Sequence, residues 1–160
     1  MESNLTQQEL DERVAILRKY KDLLRQQRDK FQAYLRVLES QEKSIHKEDG
    51  ESVEAHTMFA ERLIGSIKEL QKAIIPMQGL YDTSPAADDD ADGNSVEKLK
   101  RDLNDLRNRA ISQNDKNRAL LRTQIEQITD QLSKFKNPYS SVHSIYADQD
   151  GAGSMIQIEI

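Results

Sequence analysis

The feature that most constrains the fold is a seven-residue repeat that never misses: Leu10, Leu17, Leu24, Phe31, Leu38 and Ile45. Neither Gly nor Pro occurs before Gly50. Apolar residues recurring in this way keep one stripe of an α-helix on the same side, and nothing in the segment interrupts it. Thr6 and Glu9 have capping-box spacing just ahead of the repeat, so the helix is expected over about residues 7–47. That is a helix of ~40 residues and ~60 Å. Val14, Ile16, Tyr20, Leu23, Tyr34, Leu35 and Val37 widen the stripe until it can touch two neighbours.

The break at KEDGES (47–52) is short enough to force an antiparallel hairpin. A second seam follows at Val53, His56, Ala60, Leu63, Ile67, Leu70, Ile74, Met77 and Tyr81, spaced alternately by three and four. It predicts a helix over about 52–80, kinked at Pro76, whose ring meets the carbonyl of Lys72. Residues 1–81 thus read as a helical hairpin. Residues 82–95 carry five aspartates and no base, which predicts an extended, mobile acidic linker. Asn94 and Glu97 repeat the capping-box spacing, and Val96, Leu99, Leu103, Leu106 and Ala110 open a third helix over 96–136, stopped by Asn137-Pro138. Residues 137–160 read as a flexible tail, because the alternation at Ile156, Ile158 and Ile160 has no sheet to join.

The third helix holds the anomaly. Its stripe resumes eleven residues after Ala110, at Leu121, and continues through Ile125, Ile128, Leu132 and Phe135. The interval puts Gln113, Asn114 or Asn117 near the seam, and Asn114 and Asn117 are expected to mark a phase break that frees the late half. The alternative for the stripe is packing within the chain's own bundle. Against it, a second helix of ~30 residues leaves ~15 Å of its neighbours uncovered, and apolar residues there need another chain, in the helix-in-groove manner.

Composition limits what else the chain can do. At 36% hydrophobic, 32% charged and 5% aromatic, its 160 residues suit an all-α, coiled-coil-like domain rather than a thick-cored globule. The absence of Cys rules out disulfides and thiolate metal sites. The net charge of −5 comes from the acidic segment; elsewhere Lys and Arg alternate with Glu and Asp, without the basic, aromatic-studded stripe that nucleic acid selects. With no leader-like apolar region and no run of ~18 apolar residues, a cytoplasmic protein that does not insert in membranes is expected.

Candidate chemistry is thin. Asp88, Asp90, Asp92 and Gly93 match the opening of a calcium loop, but its twelfth position is Leu99 and Pro85-Ala86-Ala87 precedes it, so a solvated linker is expected instead. His46 and His56 flank the hairpin end, where ordinary hydrogen bonds are expected over a metal site. No nucleophile–base grouping or phosphate loop is present, so no catalytic residue, cofactor or metal is expected and an enzyme is disfavoured.

Several segments together resemble the FlgN family of flagellar export chaperones: LLRQQRDKF in the first helix, KEDGESV at the turn, IIPMQGLY closing the second, and QNDKNRALLRTQI in the third, followed by Tyr146 and Gly151 in the tail. The resemblance implies a cytoplasmic chaperone that binds the C-terminal helical segment of hook-associated proteins, prevents their premature assembly and delivers them to the export gate. It further implies a cargo surface at Leu120, Leu121, Ile125, Ile128, Leu132 and Phe135, and gate docking through Tyr146 or, less well, Tyr139. A monomer or weak homodimer is expected. The alternative is a structural or adaptor coiled coil that self-associates through its heptads.

Overall fold

The computed structural model describes residues 5–88 and 93–135. It is all-α: α1 (Gln7–His46), α2 (Gly50–Thr83) and α3 (Val96–Lys134). The chain divides into a unit ending at Arg122 and another beginning at Thr123.

α1 starts where its cap demands. The Thr6 hydroxyl accepts from the Glu9 amide at 3.3 Å, and the Glu9 carboxylate accepts from the Thr6 amide at 2.7 Å. α1 then reverses through Lys47, Glu48 and Asp49 into α2. The left-handed turn residue is Glu48 (φ 57°), not the glycine; Gly50 is already helical because Asp49 caps α2, accepting from the Ser52 amide at 3.1 Å. α2 is continuous through Pro76 and ends at Thr83, later than its sequence suggested. Pro76 and Lys72 are both exposed, so the carbonyl deprived of its N–H partner can turn to water.

The hairpin is antiparallel: Gln41 pairs with Thr57, Gln27 with the Ile67 carbonyl and Tyr20 with Tyr81, so positions descend on α1 as they rise on α2. Up to Asn117, α3 runs alongside in the direction of α1. Its first turns complete a core of Leu17, Tyr20, Leu23, Leu24, Ile74, Val96 and Leu99, with Tyr20 and Leu99 wholly inaccessible. The ring of Tyr81 lies 5.2 Å from that of Tyr20. Burial, seconded by the Asp82 carboxylate, pushes the Tyr20 phenol up to about 12.

The acidic segment departs from the extended linker expected of it. Asp82 and Thr83 belong to α2, and Ala86 packs on the core. Asp88 meets the buried Lys21 ammonium at 2.6 Å and accepts from the Val96 amide at 2.6 Å. One carboxylate thus neutralises a buried cation and caps α3 at once, which solvation alone would not require of it. The cap shifts accordingly: Ser95, not Asn94, accepts from the Lys98 amide at 3.1 Å, while Asn94 accepts from Arg28 at 3.3 Å.

Candidate functional site

α3 carries two kinds of surface on one face. At ~100° per residue, eleven residues advance the face by only ~20°, so Ala110 and Leu121 point the same way on a straight helix. α3 is continuous from Val96 to Lys134, so the break expected at Asn114 and Asn117 does not interrupt the helix. Asn117 occupies that face and is 1% exposed.

Hydrogen bonds explain why an amide can be buried there. Asn117 Nδ2 donates to the Leu38 carbonyl at 2.8 Å and to Gln41 Oε1 at 3.0 Å. Gln41 Nε2 donates onward to Thr57 Oγ1 at 2.8 Å, which links α3 through α1 to α2. Asn117 Oδ1 accepts from Gln113 at 2.9 Å, and Gln113 also donates to Glu42 at 2.6 Å. Lys116 completes the edge of the network at 2.6 Å from Glu42. The Lys116 ammonium and then the Gln113 amide hold the Glu42 carboxyl below its ordinary range. Asn117 thus clasps α3 to α1, and Asn114 is half-buried. Gln113 and the asparagines stood out in the sequence as lying near the seam; Gln41, Glu42 and Lys116 looked like ordinary surface polars.

Beyond Asn117 no described residue of α3 is buried. Leu120 and Leu121 are half-buried, and Leu120 is turned ~100° from the stripe, so it does not share the face with the others. Ile125, Ile128 and Leu132 are 62%, 55% and 68% exposed, and Phe135, just past the helix, is 83% exposed. Leu121, Ile125, Ile128, Leu132 and Phe135 fall four, three, four and three apart, a heptad seam with an open face. Among its flanking positions Gln124, Thr129 and Gln131 are uncharged. Tyr139 and Tyr146 lie outside the described residues.

The other candidates have local partners. His46 stands 3.6 Å from Glu42, and His56 Nδ1 is 3.4 Å from the Ser44 hydroxyl. No group of three metal-ligating side chains occurs among the described residues, and both oxygens of Asp88 face protein groups. No described helix is long and apolar enough to cross a membrane.

No family model matches the chain, and no solved structure does. An uncharacterized protein of Treponema pallidum (strain Nichols) is 33% identical over 158 residues, covering 99% of this chain and 98% of its own. That span takes in all three helices, and the chain belongs to the same family as this Treponema pallidum protein.

Proposed function

We propose that the chain is a cytoplasmic export chaperone of the flagellar type III system, acting by binding and not by catalysis. The late face of α3 holds the C-terminal helical segment of a hook-associated protein until delivery to the export gate. The observation that carries this reading is the open seam of Ile125, Ile128 and Leu132, continued at Phe135. Four large apolar side chains in heptad spacing, each more than half exposed, form a surface that an amphipathic helix covers well. The FlgN-like segments supply the identity of the cargo, and the tail tyrosines Tyr146 and Tyr139 are their counterpart for gate docking.

The self-associating coiled coil has less support. Ala60, Leu63 and Ile74 of the α2 seam are buried within the chain's own hairpin, so those heptads are not available to a second copy without unfolding. The deciding experiment mixes the protein with the C-terminal segment of a hook-associated protein and measures the mass of the complex. One-to-one pairing that Ile128→Asp abolishes supports the chaperone. A tight homo-oligomer that ignores the segment refutes it.

A further inference from the structure

A groove of about 480 Å³ opens where α1, α2 and α3 run together, far along the chain from the seam described above. Gln27 and Phe31 of α1, Ile67 and Lys68 of α2, and Leu103 and Arg107 of α3 line it, so that each of two walls carries one cation. Phe31, Ile67 and Leu103 are only half-buried, although each sits on the apolar face of its helix.

No acidic residue lies three or four positions from Lys68 or Arg107 on its own helix, whereas Lys72, Lys116 and Lys134 each have a carboxylate partner. Among the described residues neither Lys68 nor Arg107 forms an ion pair. Beneath them Gln27 is 3% exposed and donates to the Ile67 carbonyl at 3.3 Å, but its Oε1 has no hydrogen-bond partner among the described residues. A net charge of −5 makes this cationic mouth a local exception.

We propose that the groove docks an acidic amphipathic helix from a partner protein. An apolar anchor rests on Phe31, Ile67 and Leu103, and carboxylates on both flanks of the incoming helix meet Lys68 and Arg107. Three helices already supply three sides of a four-helix arrangement, and the missing fourth completes the apolar burial of those residues. Opposite charges on the two walls then select the partner and fix its position. The proposal is independent of the α3 seam, none of whose residues lines the groove.

The test uses the full chain and two synthetic amphipathic helical peptides, identical in their leucine stripe but flanked by glutamates in one and lysines in the other. Amide shifts on titration locate the binding, and anisotropy gives the affinity. The expected result is binding at the groove with a preference of about tenfold or more for the glutamate peptide. The exposed-site double variant Lys68→Glu/Arg107→Glu reverses that preference, Lys68→Gln/Arg107→Gln erases it, and Ile128→Asp leaves it unchanged. Equal affinity for the two peptides, no binding, or loss of binding in Ile128→Asp overturns the proposal. So does a homodimer of the unmixed protein that the charge reversal dissociates, because the occupant is then a second copy.

Discussion

Asn117 of α3 donates its side-chain amide to the Leu38 carbonyl of α1 at 2.8 Å, at a position on the buried face that an apolar residue would fill. A single amide in an apolar seam lowers stability but penalises every register that leaves it unpaired. The Leu38 carbonyl and Gln41, both on α1, are the partners that only the native register supplies.

Replacing Asn117 separates stability from uniqueness. Asn117→Ala is expected to cost about 1–3 kcal/mol, since it opens a void and strips a buried partner from Gln41. Asn117→Leu is expected to recover much of that loss while multiplying or broadening amide resonances, because leucine accepts neighbouring registers. Chemical denaturation and a proton–nitrogen correlation spectrum read the two effects. A single sharp spectrum for Asn117→Leu removes the register argument.

Glu42 ties the same clasp to pH. Its folded carboxyl is held below the ordinary value of 4.5 by Lys116 and Gln113. A depressed folded pKa means the pair contributes stability in full above that ordinary value and loses it as pH falls through the folded pKa. Unfolding midpoints measured from neutral pH down through the carboxylate range are therefore expected to fall less steeply in Glu42→Gln than in the native protein. Parallel profiles refute the assignment.

How much of this was legible without a structure follows from the range of each interaction. The α1 repeat, the Thr6 cap and the α2 seam act within one helix, and periodicity reveals them. Asp88 was read as solvated because its partners, Lys21 and Val96, are fixed only when three helices assemble. The eleven-residue interval breaks a heptad count while preserving the face of a straight helix, so spacing alone did not show that Asn117 is buried against α1. Ile125 and Ile128 are exposed, but the stripe's spacing alone allowed core packing equally well.

The dual role of Asp88 has its own signature. Asp88→Asn keeps an oxygen for the Val96 amide and loses the charge facing Lys21, whereas Asp88→Ala loses both. The alanine variant is expected to be less stable than the asparagine one by about 1 kcal/mol, the usual worth of a helix cap. Thermal unfolding of the two variants measures the difference. Equal stabilities exclude the capping role.

Gly65 offers a stabilising change. It lies exposed inside α2, and a Cβ built there meets nothing within 4 Å. Gly65→Ala is expected to add about 0.5–1 kcal/mol by restricting the unfolded chain. A denaturation midpoint that stays put or falls contradicts the helical account of that position.

The two ends of α3 are expected to respond in opposite ways to substitution. Leu99 is wholly buried in the three-helix core, so Leu99→Ala is expected to cost about 2–5 kcal/mol. Ile128 is 55% exposed, so Ile128→Asp is expected to change stability by no more than about 0.5 kcal/mol. Under the chaperone reading, their effects on cargo reverse this order. Ile128→Asp abolishes capture by a protein that remains folded, and Leu99→Ala still captures cargo at temperatures where it is folded. Circular dichroism melts paired with cargo pull-downs make the comparison. If Ile128→Asp unfolds the protein as readily as Leu99→Ala does, the late face of α3 is core and the binding surface lies elsewhere.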